Sequence, residues 1–365
     1  TIIRPLVNQY FPQIDYWPSS PSSGTTFENS NSDHFGDMHY WGVWHNNEPI
    51  SYYRKYFPRF MSEFGIQSFP SLKTVRTFAR EEDLNIFSYI MEKHQKNNTA
   101  NDKILNYIGK MFRYPKDFDS LIYVSQLIQA EGVRYGVEHW RRNYGQCMGA
   151  LYWQLNDCWP VASWSSIDYY HRWKALHYHS KKFYQPVLVS ICEEGNQADI
   201  YLTNDTLEDE SGKLSYQLMD FNGNIIDASE KIVTIKRQSA EKFYQVSAIL
   251  NRYEAMETVL YVSFSSNGRL ISDNQVSFAP DKHLRLKKPL ITKQLNQNGN
   301  QFTLTLETDT YAKYVEVSLD KEDVIFSDNY FFLLPNQRKT IEFLSDLPLE
   351  DISNSMNIRS LVDTY

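Results

Sequence analysis

The sequence predicts an incomplete α/β domain followed by two β-sandwich modules, and three observations carry that prediction. Up to Pro186, short apolar runs of strand length alternate with helical patterns. After Pro186 the pattern turns to half-buried strands punctuated by Asn-Gly turns. A linker-like segment then splits the β-rich part in two, and at 365 residues the chain is too long for one ordinary domain. The predicted divisions are 1–186, 187–283 and 284–365.

The opening residues, TIIRPLVNQYFPQIDYW, read as the end of a helix running straight into a strand. They have neither the charged nor the apolar region of a signal peptide and start at Thr1, so the expectation is a processed or truncated product that begins mid-domain. The runs FMSEFG (60–65) and CMGALYWQL (147–155) have the length and apolar content of buried parallel strands. Between them, residues 117–143 predict a long helix, with Leu121, Val124, Leu127, Ile128, Val133, Val137 and Trp140 as its apolar stripe and polar residues opposite. Beyond Pro186, ADIYLTN, KLSYQLMD, KIVTIKR, EKFYQVSAIL and TVLYVSFSS alternate as strands, with turns at FNGN (221–224) and SNG (266–268). Their regular spacing, without long helical periods, predicts a β-sandwich. FAPDKHLRLKKPL (278–290) reads as a linker, and QFTLTLET, AKYVEVSLD and KTIEFL make a second, smaller β set.

Composition narrows the partners. A net charge of −7 without a basic stripe argues against nucleic acid, and no run of about 18 apolar residues predicts a membrane span. Cys147, Cys158 and Cys192 are odd in number and lack metal-type spacing, so they read as reduced structural thiols in a cytoplasmic setting, with no metal site. The aromatic share of 15% suits β-rich modules or a site that stacks on sugar rings.

The functional reading turns on FPRFMSEFGIQSFPS (57–71), where Glu63 ends an apolar run and is followed at once by Phe64, Gly65 and a loop. In β/α barrels the active site gathers at the C-terminal ends of strands, where such a carboxylate projects into the pocket. A single Glu is ordinarily a solvated charge, but an acid at the end of an apolar strand among aromatics is a candidate catalytic group. Two further segments share that surface. GDMHYWGVWHNNEP (36–49) packs His39, Tyr40, Trp41, Trp44 and His45 into seven residues. GALYWQLNDCWPVASWSSIDY (149–169) sets Trp153, Asn156, Asp157 and Trp159 at a strand end and in the loop after it. Trp and Tyr faces stack on the C–H surfaces of pyranoses, while Asn, Asp and His hold hydroxyls. One tryptophan is ordinarily core; two clusters beside a strand-end Glu point to a sugar site.

Taken together, MSEFGIQSFPS, WPSSPSSG (17–24), HYWGVWH (39–45) and GALYWQLNDCWP (149–160) resemble the signature segments of the β-mannosidases of glycoside hydrolase family 2. The resemblance runs from about Trp17 to Pro186, with the two β modules in the expected order behind it. It implies that 1–186 is the C-terminal half of a (β/α)8 TIM barrel and that both sandwiches are immunoglobulin-like. It also implies a retaining, exo-acting hydrolase that releases terminal β-D-mannose from oligosaccharides or other β-mannosides through a covalent glycosyl-enzyme intermediate. Such enzymes place a nucleophile and a general acid/base about 5–5.5 Å apart. Glu63 matches the nucleophile that ends strand seven, and Trp153 matches the Trp that ends strand eight and floors the sugar subsite. His39, Trp41, Trp44 and Asn156 are the further substrate-binding candidates. No cofactor is implied.

In that family the acid/base is the Glu of an Asn-Glu pair ending strand four. Asn47-Glu48 has the dipeptide, but only fifteen positions separate Glu48 from Glu63. Three βα repeats are required between strands four and seven, and a single βαβ unit takes roughly 30 residues. Glu28 fails in the same way. The acid/base and the first half of the barrel are therefore expected upstream of Thr1, in an N-terminal half that becomes a partner of this chain. Two alternatives stand beside this reading: a related family 2 β-glycosidase of glucosaminidase or galactosidase type, and a non-catalytic carbohydrate-binding fragment.

Overall fold

The computed structural model describes residues 2–25, 28–98, 100–248 and 252–365. Its first helix, Ile3–Tyr10, buries none of its residues. The strand expected after it does not form; residues 15–18 are irregular, and Ser22 bridges Asp37 in antiparallel fashion. Pro18 and Pro21 withhold amide donors from this stretch, which disfavours a ladder.

Three parallel segments come next. β1 (Met38–His39) pairs with β2 (Met61–Glu63), setting Met38 opposite Met61 and His39 opposite Glu63. Residues 148–153 run parallel along the other side of β2: the Met61 amide donates to Gly149 O (2.9 Å) and the Leu151 amide to Met61 O (2.8 Å). The strand expected at 147–155 is thus reduced to a one-sided ladder. Among the described residues the amides of Ala150 and Tyr152 find no backbone acceptor, and Met148 and Leu151 are about half exposed on that flank.

The predicted long helix spans Phe118–Arg142, started by the Asp117 side chain accepting the Ser120 amide at 2.7 Å. Every residue of the expected apolar stripe is buried, but the opposite face is not solvated: 19 of the 25 residues are buried. Its polar side chains are covered because they hold the loops that follow the strands. Gln129 accepts from the Ser68 hydroxyl and donates to the carbonyls of Ile66 and Trp164, while Gln126 donates to Phe69 O. A second helix, Ala175–Phe183, packs on the first.

Beyond Pro186, β3 (Val187–Glu194), β4 (Gln197–Asn204) and β7 (Ser239–Ser247) form one antiparallel sheet. β5 (Glu210–Asp220), β6 (Ile225–Ile235), β8 (Thr258–Ser266) and β9 (Arg269–Ser277) form a second, ordered β6-β5-β8-β9. Inward residues of both, including Ile191, Ile200, Leu202, Leu214, Val262 and Phe264, make one buried cluster. Asn267 and Gly268 take positive φ (51° and 72°) at the β8–β9 turn, as an Asn-Gly hairpin requires. The last residues of the expected strand EKFYQVSAIL, 249–250, lie outside the described residues.

The linker carries one short 3-10 turn, Asp281–His283, and tucks Leu284 against Phe221 and Tyr311. The last part again builds two antiparallel sheets. One orders β10 (Ile291–Asn298), β11 (Gln301–Thr308) and β14 (Lys339–Leu344). The other orders β13 (Phe331–Leu333), β12 (Ala312–Leu319) and β15 (Met356–Arg359). Their core is continuous with that of the N-terminal part through residues such as Tyr123, Val315 and Phe331. Among the described residues no helix is long and apolar enough to cross a membrane.

Candidate active site

Glu63 is the last residue of β2, and its side chain is 25% exposed. One oxygen takes both of its neighbours: Trp41 Nε1 donates to Oε2 at 3.0 Å, and His39 Nδ1 lies 3.2 Å from the same atom. No hydrogen-bond partner reaches Oε1 among the described residues. His39, Trp41 and Glu63 therefore meet because two neighbouring parallel strands end at one level. On the far side of β2 the Trp153 amide donates to Phe64 O at 2.8 Å, which sets the 45%-exposed Trp153 ring at the adjoining strand end. The Trp153–Gln154 peptide is cis. Gly65 is needed for this crossing, since a Cβ there would stand 2.3 Å from the Trp153 carbonyl oxygen.

Behind His39 lies a carboxylate for which the sequence reading had no role. Asp37 Oδ1 accepts from Trp17 Nε1 (3.0 Å) and the Ser22 amide (2.9 Å), and Oδ2 from the hydroxyls of Ser20 and Ser62 (2.5 Å each). Burial alone would raise the Asp37 carboxyl; the hydrogen bonds from Ser20, Ser62, Trp17 and Ser22 outweigh it and hold the group below the ordinary carboxylate range. Ser20 Oγ also lies 2.9 Å from His39 Nε2, so Asp37, Ser20, His39 and Glu63 form one chain of contacts. Trp17, Ser20, Asp37 and Ser62 were not singled out in the sequence, although each lies inside one of the segments WPSSPSSG, GDMHYWGVWHNNEP and MSEFGIQSFPS.

The other expected site residues divide. Trp44 is fully buried: it stacks on Tyr107 at 6.5 Å and meets Trp164 edge-on at 6.2 Å. Its expected place in a sugar pocket is corrected by that burial; it is a core residue on the inner side of the short helix Gly42–His45. Trp41, on the same turn, stays half-exposed and packs on Trp164 at 5.9 Å, so the aromatic cluster spans from site to core. Asn156 is exposed, and among the described residues only its carbonyl is engaged, by Gln154 Nε2 at 2.9 Å. Asp157 is instead a buried anchor, accepting from Ser163 and Ser165 and shaping the loop after Trp153. The two tryptophans should separate by measurement. Trp44→Ala is expected to lower unfolding free energy by about 3–5 kcal/mol in urea titrations, whereas Trp153→Ala should change it by less than about 1 kcal/mol.

The remaining nearby carboxylate, Glu48, is committed elsewhere. The Tyr40 hydroxyl donates to Glu48 Oε2 at 2.5 Å, and burial first, then this carboxylate, pushes the phenol far above its ordinary range. Gly42 makes room for it, as a Cβ would meet Glu48 Oε2 at 2.1 Å. Among the described residues no group of three or more His, Cys, Asp or Glu could hold a metal ion. The site thus offers a carboxylate fixed through one oxygen and open at the other, beside an exposed indole face.

Comparison with known proteins bears on the whole chain. Residues 196–283 match a model described as a mannosidase Ig/CBM-like domain, and 286–364 match an Ig-fold domain model of mannosidases. The sequence is 28% identical to β-mannosidase B of Aspergillus clavatus, over 96% of this chain and 44% of that protein. It is 29% identical to the β-mannosidase of the goat, Capra hircus, over 95% of this chain and 43% of that protein. The structure superposes on the crystal structure of a β-D-mannosidase from Dictyoglomus thermophilum with a TM-score of 0.91 and 31% identity, covering 99% of this chain and 44% of that one. The chain is a homologue of the β-mannosidases. It corresponds to their C-terminal portion and spans less than half the length of these relatives. The likeness of this β-mannosidase homologue therefore includes both β-rich parts and the segments that carry Glu63, His39, Trp41 and Trp153.

Proposed function

We propose that this chain carries the nucleophile of a retaining, exo-acting β-mannosidase. In this reading 1–186 is the C-terminal part of a (β/α)8 catalytic barrel, and 187–283 and 284–365 are immunoglobulin-like sandwiches behind it. Parallel pairing of β1, β2 and 148–153, with functional side chains gathered where these segments end, supports the barrel reading. The observation that carries the function is the Glu63 carboxylate, held near Trp41 and His39 through Oε2 while Oε1 has no partner among the described residues.

Oε1 attacks the anomeric carbon of a terminal β-mannoside held against the Trp153 ring. The bond from that carbon to the aglycone oxygen breaks, and the departing oxygen takes a proton from a carboxylic acid supplied by the part of the relatives that this chain does not span. Water, giving its proton back to that same group, then attacks the glycosyl ester, and mannose leaves with Glu63 restored as carboxylate. Asp37 does not serve as the acid, because four donors fill its lone pairs. The experiment is mechanism-based trapping: the assembled enzyme is inactivated with a fluorinated β-mannosyl donor and digested. The ester is expected on Glu63; an ester on another residue, or trapping by the galactosyl analogue alone, would overturn the reading.

A further inference from the structure

Asp37 receives Trp17 Nε1–H and Ser22 N–H on Oδ1, and the Ser20 and Ser62 hydroxyls on Oδ2. Four donors match the four acceptor positions of an ionised carboxylate, so Asp37 has no proton to give. Ser20 has a single hydroxyl proton, and the 2.5 Å contact with Asp37 Oδ2 commits it there. Ser20 Oγ can then only accept from His39 Nε2, 2.9 Å away. The ring is thereby oriented: Nε2 carries a hydrogen, and Nδ1 is the edge turned to Glu63 Oε2 at 3.2 Å. A hydrogen on Nδ1 as well, with the ring charged, would make the 3.2 Å contact to Oε2 an ion pair. Among the described residues the charged groups facing the ring are Glu63 on β2 and Asp37 through Ser20, while Asn31 Oδ1 accepts the His39 amide and fixes its backbone.

We propose that Asp37 is a positioning residue for Glu63, acting through Ser20 to fix the hydrogen on His39 Nε2 and so to direct Nδ1 at the Glu63 carboxylate. The consequence falls on which oxygen reacts. With Oε2 engaged by His39 and Trp41, Oε1 is presented to the sugar, and Oε2 becomes the ester carbonyl oxygen of the intermediate. Asp37 itself touches no reacting atom.

This inference rests on Glu63 being the nucleophile, yet its test needs no substrate. The imidazole nitrogens of His39 are read by two-bond proton–nitrogen correlation in the nitrogen-15-labelled chain, with the signals assigned by a His39→Gln sample. The native chain is expected to show a protonated Nε2. In Asp37→Asn the Ser20 hydroxyl is released to donate to Nε2, and in Ser20→Ala the acceptor is gone; both should lose the Nε2–H signal and leave hydrogen on Nδ1 alone. Ser20 is exposed, so its truncation leaves the core intact even if Asp37→Asn fails to fold. An unprotonated Nε2 in the native chain, or a Ser20→Ala ring identical to native in a folded protein, overturns the relay. Trapping an ester on a residue other than Glu63 would instead overturn the functional reading and leave the nitrogen signals as they are.

Discussion

Glu63→Gln is expected to lower kcat of the assembled enzyme toward aryl β-mannosides by on the order of 10⁴–10⁶-fold, the scale on which removal of a covalent nucleophile is felt. The amide is nearly isosteric and its oxygen still accepts the Trp41 Nε1–H, so folding should change by less than about 1 kcal/mol. What is lost is the negative charge on an oxygen poised to bond to carbon. Glu63→Gly sharpens the test, because it opens a space that azide can fill. Azide attacking from the face Glu63 occupied displaces the aglycone once, so the product is the α-mannosyl azide. Were Glu63 the acid/base instead, azide would attack the glycosyl ester held elsewhere and give the β-anomer. Chromatography of the product against both standards decides between them, and a β-azide would sink the assignment.

The sequence displayed some layers of this molecule more plainly than others. The strand-end position of Glu63 was legible because a carboxylate closing an apolar run is a local pattern, and local patterns survive in one dimension. The β-rich parts were legible through alternation and through Asn267-Gly268, whose positive φ values only a few residue types tolerate. Trp44 misled because aromatic density in 39–45 says nothing about which side of a four-residue helix faces inward, and only packing against Tyr107 and Trp164 settles that. The polar face of Phe118–Arg142 misled similarly. Gln126 and Gln129 pattern as solvated residues, but their amides satisfy loop carbonyls from segments 35 to 63 residues distant. Asp37 went unassigned for a related reason: its four donors come from positions 15 to 25 residues away, three of them serines with no pattern of their own.

Alone, this chain is expected to hydrolyse β-mannosides at least about 10²–10⁴-fold more slowly than an assembled enzyme, the contribution of general acid catalysis. The carboxylates beside Glu63 are already committed. Asp37 is saturated with donors, and Glu48 takes the Tyr40 hydroxyl behind Gly42. The relatives are more than twice as long as the matched segment, which leaves ample chain for a second carboxylate. The flank of 148–152 points the same way. Its amides at Ala150 and Tyr152 lack backbone acceptors among the described residues, and it borders a concavity of about 650 Å³ lined by Phe60, Trp140, Met148, Leu151, Leu155 and Tyr184. An apolar wall beside an unpaired parallel edge fits a further strand better than water. Mixing the purified chain with the N-terminal half of a β-mannosidase relative should therefore restore turnover of a chromogenic β-mannoside, with the two pieces co-eluting on size exclusion. Near-normal turnover by the chain alone would mean that an acid acts from within it. Glu48→Gln would then be the deciding variant: loss of that turnover would place the acid at Glu48, released from Tyr40 when substrate binds.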